Sequence, residues 1–242
     1  MADPIIDVSG VTKNYGGLRP LRVAALSVAP GDRFAILGID AQAAEILVNI
    51  LTGAALPDEG EVRLFGRATA AIADAGDWMA TLDRIGMVSP RAMLADDFTL
   101  LQSIAMAFTL SLDPVPDPVS ANVARLALDA GLAAGDLGMR VSSAAPIVKA
   151  RCRLARALAT APDVLVLEHA NALVPEGAAA FGRDIAALAK ARNMAVIALT
   201  ADETFASAVA ERVFALDAAT GQLQARGAWR RWFVRTRDRG TQ

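Results

Sequence analysis

The sequence has few of the features that mark secreted, membrane-spanning and nucleic-acid-binding proteins. No apolar run approaches the roughly 18 residues of a membrane-spanning helix, and the first residues lack the basic region of a signal peptide. The single cysteine, Cys152, cannot form an internal disulfide, so a reducing cytoplasm is the simplest setting. The net charge of −2 argues against a general nucleic-acid binder.

Hydrophobic residues make up 54% of the 242 residues and charged residues 21%, which is typical of a folded globular protein. A chain of this length can bury a substantial core, as one domain or as a domain with a sizeable insertion. Charge is uneven, because residues 226–242 contain six arginines and one acidic residue beside Trp229, Trp232 and Phe233. This Arg/Trp-rich tail suits an anionic membrane surface or an acidic partner, although a frayed terminus packed on the domain is the simpler interpretation.

Short apolar runs alternate with helical patterns along most of the chain. Buried strands, each followed by a helical pattern, are predicted at residues 34–37, 163–167 and 195–199. Residues 100–137 are helical in pattern and are interrupted by prolines between 113 and 118. This arrangement predicts an α/β fold with a P-loop NTPase-like parallel sheet core, an N-terminal antiparallel β portion and an inserted helical subdomain at about 91–145. The whole chain, 1–242, is then a single domain.

The stretch from Phe34 to Leu51 has the strand–loop–helix order of a phosphate-binding P-loop. That motif consists of a glycine, four residues, and then Gly-Lys-Ser/Thr. Gly38 occupies the first position, but Ala43, Ala44 and Glu45 stand where the second glycine, the lysine and the hydroxyl residue belong. The sequence therefore predicts the frame of a phosphate site without its phosphate-binding side chains.

Several segments, in matching order and spacing, resemble the ATP-binding subunits of ABC transporters. They are Val11–Gly16, Leu47–Val62, Arg84–Val88, Phe98–Ile104, Arg151–Leu158 and Ala161–Leu167. The resemblance implies the fold of that family, ATP and magnesium as ligands, and a permease contact near Phe98–Ile104. By the same resemblance, Tyr15 would stack on adenine. The nucleotide-binding positions would be Tyr15, Gly38, Asp40, Ala41, Ala43, Ala44, Glu45 and Ile46.

The departures from the family pattern fall on residues that perform its chemistry. The family's lysine contacts the β/γ-phosphates and its Ser/Thr hydroxyl holds magnesium, but those positions are Ala44 and Glu45. Two unit charges about 4 Å apart interact by about 4 kcal/mol at an effective dielectric near 20. Losing a cation and gaining a carboxylate therefore predicts that ATP and magnesium bind several decades more weakly, unless another cation or a magnesium bridge compensates.

The end of the acidic strand is also altered. Glu168 stands for the magnesium-organising aspartate and His169 for the glutamate that polarises water, which makes them the candidate metal ligand and catalytic base. Pro90 and Ala201 replace the family's glutamine and switch histidine, and residues 141–147, at the expected signature loop, contain no glycine. These changes favour a hydrogen-bonded, non-catalytic role for His169 at a strand end.

The backbone N–H groups of the altered loop can be satisfied by carboxylates of the same segment. Asp40 is expected to cap the helix, and Glu45 is expected in the first turn, where the helix dipole favours a negative charge. We therefore predict a stable fold without nucleotide.

Three functions fit these patterns. The first is a catalytically degenerate ABC subunit, peripheral on the cytoplasmic face of the membrane, that docks on an integral permease with weak or no ATP hydrolysis. It would form a homodimer, or a heterodimer with another ATP-binding subunit. The second is an active transport ATPase with His169 as base, and the third is a soluble interaction module of the same fold. The joint replacement of five catalytic positions favours the first over the second, and the apolar stretch 98–112 and Arg-rich tail favour it over the third.

Overall fold

The computed structural model describes residues 3–226, so the Arg/Trp-rich tail beyond Arg226 lies outside the described residues. The strands are β1 (Ile6–Lys13), β2 (Leu21–Val28), β3 (Arg33–Leu37), β4 (Glu59–Leu64), β5 (Arg67–Ala68), β6 (Ile85–Val88), β7 (Val164–Glu168), β8 (Ala195–Thr200), β9 (Arg212–Leu216) and β10 (Leu223–Ala225). The α-helices are α1 (Ala41–Leu51), α2 (Ala75–Leu82), α3 (Leu100–Ala105), α4 (Asp117–Asp129), α5 (Pro146–Ala157), α6 (Ala178–Ala191) and α7 (Glu203–Val209). No helix within residues 3–226 is long and apolar enough to span a bilayer.

A four-stranded antiparallel sheet has the order β2-β1-β4-β5. In its centre, Ile6 of β1 lies opposite Val28 of β2 and Leu64 of β4. All three side chains are buried, because the alternation of the strands turns one face of this sheet towards the core. The predicted N-terminal antiparallel portion is confirmed.

A six-stranded sheet has the order β10-β9-β3-β8-β7-β6, and all its strands are parallel except the edge strand β10. Both faces of this sheet are covered, as its continuous apolar strands predict. Along β7, Val164 and Val166 belong to the core shared with α1 and the antiparallel sheet. Leu165 and Leu167 belong to the core on the other face, shared with α3 to α7. The predicted α/β class with a P-loop-like parallel sheet is confirmed.

The segment between β6 and α5 contains α3 and α4, both packed on α5. The expected helical stretch from residue 100 is shorter than its pattern suggests, because α3 ends at Ala105. The next helix begins inside the proline-rich segment, since Pro118 occupies the first turn of α4, where proline is tolerated. The boundaries 91–145 of an inserted subdomain stay a prediction.

Candidate functional site

The loops that follow β3, β6, β7 and β8 lie at one edge of the parallel sheet. These four strands are neighbours in the order β3-β8-β7-β6, so their carboxyl ends are side by side. In α/β proteins this edge is where ligands bind. It brings together the P-loop-like segment after β3, Arg91 after β6, His169 after β7 and Ala201 after β8.

The turn between β3 and α1 has the conformation that its sequence predicts. Gly38 has a φ of +81°, which only glycine adopts readily, and its N–H donates to the Thr200 carbonyl of β8 at 2.9 Å. Asp40 is the N-cap of α1, and its carboxylate accepts a hydrogen bond from the Ala43 N–H at 2.8 Å. The predicted cap is confirmed, and a carboxylate of the chain takes one of the loop amides that would otherwise face an anion.

The first residues of α1 form a small, apolar surface under this loop. Ala41 is exposed, whereas Ala43 and Ala44 are buried, Ala44 completely. Ile46 is half-buried against the core shared with the antiparallel sheet. These alanines offer no charged group to a phosphate.

The expectation that Glu45 lies in the first turn of α1 is wrong. The helix begins at Ala41, so Glu45 is its fifth residue, and its first turn contains no acidic side chain. The helix dipole therefore contributes little to this carboxylate, since its effect falls off within the first turn. Glu45 is instead paired with an arginine from another loop.

Arg91 is that arginine, and it bridges the two carboxylates of the site. Its Nη1 donates to Glu45 Oε1 at 3.0 Å. Its Nε lies 3.0 Å from both Glu168 oxygens, and its Nη2 donates to Glu168 Oε2 at 2.9 Å. Glu168 is the buried member, with 4% of its side chain exposed against 43% for Arg91 and 45% for Glu45. A guanidinium thus lies between the two residues that resemblance assigns to magnesium.

Sequence reasoning missed Arg91 because the family pattern drew attention to the neighbouring Pro90. A signal was present in the strand register. Val88 of β6 pairs with Leu167 of β7, so the residues after Val88 emerge beside Glu168. An arginine at that point faces the only carboxylate at the end of β7.

The loop 89–93, defined here as residues Ser89 to Met93, is held from two sides. Ser89 Oγ accepts the Arg91 N–H at 3.0 Å, which helps to turn the arginine towards the site. On the other side, Arg153 Nε of α5 donates to the Ala92 carbonyl at 2.8 Å, and Arg156 of α5 donates to the Met93 carbonyl at 3.0 Å. The loop therefore connects the candidate site to α5.

His169 adopts a left-handed backbone conformation, with φ +44°, directly after β7. Its backbone N–H donates to the Leu199 carbonyl at 2.8 Å, and its carbonyl accepts from the Ala172 N–H. The expected side-chain hydrogen bond is not found, because the buried Nε2 has no partner among residues 3–226.

The position of the family's switch histidine, after β8, holds no histidine. Ala201 is exposed there, and the neighbouring Thr200 Oγ1 donates to Asn171 Oδ1 at 2.8 Å.

A cleft of about 590 Å³ brings Tyr15 to the P-loop-like segment. Tyr15, Gly38, Asp40 and Ala43 all line it. The Tyr15 ring packs on Gly17, where a Cβ would lie 2.8 Å from the ring. The cleft also contains Arg19 and Arg22. Its size suits a small organic ligand, since such pockets typically measure about 300–1,000 Å³.

The residues at the site do not fit a magnesium ion. Magnesium requires oxygen ligands in near-octahedral geometry, but both Glu168 oxygens and one Glu45 oxygen already accept hydrogen bonds from Arg91. No group of three or more Asp, Glu, His or Cys side chains within residues 3–226 is arranged to hold a metal. The role of Glu168 as a metal ligand stays a prediction, and the hydrogen bonds from Arg91 to both Glu168 oxygens argue against it.

Comparison with known proteins finds many relatives, although no protein-family model matches the chain. The methionine import ATP-binding protein MetN of Caulobacter vibrioides is 31% identical over 227 residues, which cover 93% of this chain and 67% of that protein. The Fe(3+) ions import ATP-binding protein FbpC of Serratia marcescens is 29% identical over 238 residues, covering 98% and 66%. The ribose import ATP-binding protein RbsA 2 of Rhizobium etli is 30% identical over 181 residues, but the match spans only 34% of its length.

Solved structures are similar in fold. CbiO1 from Clostridium perfringens, part of the ABC transporter complex cbiONQ, has a TM-score of 0.78 at 20% identity, over 97% of this chain and 94% of that one. The dimeric ABC transporter cassette MJ0796 has a TM-score of 0.70 at 20% identity, over 87% and 93%. At these identities the likeness concerns the fold alone.

Proposed function

Because this chain belongs to the family of ABC transporter ATP-binding subunits, we propose that it is a catalytically degenerate member with weak or no ATP hydrolysis. The observation that carries this proposal is the guanidinium of Arg91 between Glu45 and Glu168. It takes up the carboxylates at the two magnesium positions, while Asp40 takes up an amide of the phosphate loop. Both carboxylates at the magnesium positions and one amide of the phosphate loop thus have partners within the chain.

Electrostatics supports weak nucleotide binding. A triphosphate in the loop would approach Asp40, Glu45 and Glu168 without the lysine that position 44 lacks. Each close like-charge pair costs on the order of 4 kcal/mol at about 4 Å and an effective dielectric near 20. Arg91 does not offset this cost freely, since it would first have to leave a nearly buried carboxylate. Adenine stacking on Tyr15 remains the proposed route to weak binding.

The alternative of an active ATPase with His169 as base has less support. A general base must reach its water molecule within hydrogen-bond distance, yet His169 Nε2 is buried away from solvent. The Nε2 atom of His169 is therefore not available as a base in this conformation. We retain the catalytic assignment of His169 as the hypothesis that the hydrolysis experiment excludes or supports.

Docking on an integral membrane permease is proposed from the surface beside the loop 89–93. A groove of about 310 Å³ lies there, lined by Leu82, Ile85, Met87, Met106, Arg153 and Arg156. Met87 and Met106 are 40% and 42% exposed. Methionine side chains adapt to the shape of a partner, and contiguous exposed apolar residues mark interaction surfaces. A soluble interaction module would use the same groove for another protein, so co-purification with a membrane subunit separates the two functions.

We further propose that the chain works as part of a dimeric assembly at the cytoplasmic face of a membrane. Dimers occur in the cassette MJ0796, and the relatives are named for import. An importer is therefore the proposed setting, with either a second copy or another ATP-binding subunit as partner. Co-purification of the full chain from membranes distinguishes these two dimers from a soluble module.

Titration calorimetry and phosphate release test the proposed loss of catalysis. With ATP and magnesium up to about 1 mM, we expect no binding heat, because the charge changes weaken binding by several decades. Phosphate release should stay at the background level in the isolated chain and in a membrane complex in which this chain is the sole ATP-binding subunit. Micromolar ATP binding, with turnover that His169→Ala abolishes, would contradict the proposal.

A further inference from the structure

The Arg91 ion pairs lie between the two carboxylates at the positions that the family resemblance assigns to magnesium. We propose that Arg91 is a permanent internal counter-ion that makes this site independent of divalent metals and holds the loop 89–93 in one conformation with or without nucleotide. This inference deepens the proposed function and rests on it, because an internal cation is useful only where no metal–nucleotide complex has to bind.

Burial and geometry of Glu168 are the first argument. A carboxylate with 4% of its side chain exposed needs a cation and hydrogen-bond donors to compensate for its lost hydration. Arg91 supplies both, since its Nε and Nη2 face the two oxygens in the forked arrangement that matches a carboxylate. The guanidinium is covalently part of the chain, whereas a bound metal ion exchanges with solvent.

Exclusion of a second cation is the next argument. A divalent ion close to Glu168 would lie next to the guanidinium and would have to compete for oxygens that are already accepting hydrogen bonds. Like charges in contact repel strongly in a partly desolvated site. Divalent binding therefore requires displacement of Arg91 from Glu168 and Glu45 together.

The loop supplies the last argument. Arg91 fixes one side of the loop 89–93, and Arg153 and Arg156 fix its other side through the Ala92 and Met93 carbonyls. All these donors belong to the chain itself. The loop is thus held from both sides by hydrogen bonds within the chain.

Manganese binding to the full, nucleotide-free chain tests the inference. Mn²⁺ is the probe because its free form is measured directly by electron paramagnetic resonance. We expect wild-type binding only above about 1 mM, and Arg91→Gln, which frees two carboxylates, to bind Mn²⁺ at least about tenfold more tightly. Adding Glu168→Gln to Arg91→Gln should remove that gain. The matched control is Arg67→Gln, which breaks an ion pair with Asp77 in which both side chains are 45% exposed.

Thermal unfolding gives a second measurement. Arg91→Gln should lower the melting temperature by about 4–8 °C, with partial recovery on adding Mn²⁺, whereas Arg67→Gln should lower it by less than about 2 °C. Micromolar Mn²⁺ binding by the wild-type chain would overturn the inference, as would equal melting temperatures for the two variants. If Arg91→Gln does not fold, wild-type Mn²⁺ binding alone still decides. These measurements use no ATP, so a failure of this inference is seen in Mn²⁺ binding and a failure of the proposed function is seen separately in phosphate release.

Discussion

The positive charge at this end of the parallel sheet belongs to a different residue from the one that the family pattern predicts. The positive charge expected at position 44 is absent, and that side chain is completely buried. A positive charge is present instead at Arg91, where it contacts Glu45 and Glu168. A lysine facing an open loop has its charge available for a phosphate, whereas the charge of this guanidinium is already paired with two carboxylates. The net charge of the site is therefore a poor guide to its ligand.

Cys152 permits a residue-scale prediction about pH. Burial in the core raises the pKa of its thiol to about 11 from an ordinary value of 9.0. The unfolded chain loses this proton first, so stability is complete below pH 9 and is lost as the pH rises towards 11. We expect the free energy of unfolding to fall by about 1 kcal/mol more between pH 8 and pH 10 than in Cys152→Ala. Urea titrations at both pH values measure this difference.

Alkylation provides the control for that prediction. Iodoacetamide should modify native Cys152 at pH 8 far more slowly than the urea-unfolded chain, because the buried thiol is both protonated and inaccessible. Rapid modification of the folded chain would show that the α5 packing around Cys152 opens readily, and the expected alkaline effect would then disappear.

At the scale of elements, Asp40 and helix α1 show how the loop is stabilised without a ligand. Asp40→Ala removes the side-chain oxygen that accepts the Ala43 N–H, and should lower the free energy of unfolding by about 1 kcal/mol. It also frees that amide, so pyrophosphate affinity should rise above the wild-type value. Urea denaturation and calorimetry with pyrophosphate measure the two effects.

Asp74→Ala is the matched control for this helix cap. Asp74 caps α2 by accepting the Asp77 N–H at 2.8 Å, but α2 contains no buried residue. Its loss should fray α2 with less effect on global stability, and should leave pyrophosphate affinity unchanged. An Asp40→Ala chain as stable as wild type would show that this carboxylate does not cap α1 in solution.

The sequence was informative for elements whose physics is local. Strands β3, β7 and β8 follow from short apolar runs, and the cap of α1 follows from an aspartate next to a helix start. The short strands β5 and β10, of two and three residues, carry too little pattern and depend on neighbours already in place. The Arg91 bridge joins residues 46 and 77 positions away along the chain, so only the sheet register brings them together. The prediction for Glu45 was wrong because a shift of one residue in the start of a helix decides which turn a side chain belongs to.

At the scale of the whole molecule, the loop 89–93 connects the candidate site with the groove proposed for permease docking. One side of the loop contacts the candidate site through Arg91, and the other contacts α5 beside the apolar groove. In this chain both contacts are made by arginines and protein oxygens. The groove should therefore accept its partner equally well with and without nucleotide.

The groove prediction is tested by Met87→Glu combined with Met106→Glu. Both side chains line the groove and are partly exposed, so the change should leave the fold intact while replacing apolar contact surface with two carboxylates. We expect recovery of the full chain with washed host membranes to fall at least about tenfold, the effect of losing an interface residue worth more than about 1.4 kcal/mol. Adding ATP with magnesium, or a metal chelator, should change recovery of the wild-type chain by less than about twofold, because the loop 89–93 is held by contacts within the chain. A twofold change is well below the factor of about ten that corresponds to 1.4 kcal/mol.

Leu128→Glu is the control, because Leu128 on α4 is 73% exposed and does not line the groove. This variant should be recovered with membranes like the wild-type chain. Equal losses for both variants would mean that membrane recovery reflects general surface hydrophobicity and not this groove. A wild-type chain that leaves the membrane when nucleotide is removed would mean that the loop 89–93 still responds to the site, so that its two sides are coupled by more than the ion pairs of Arg91.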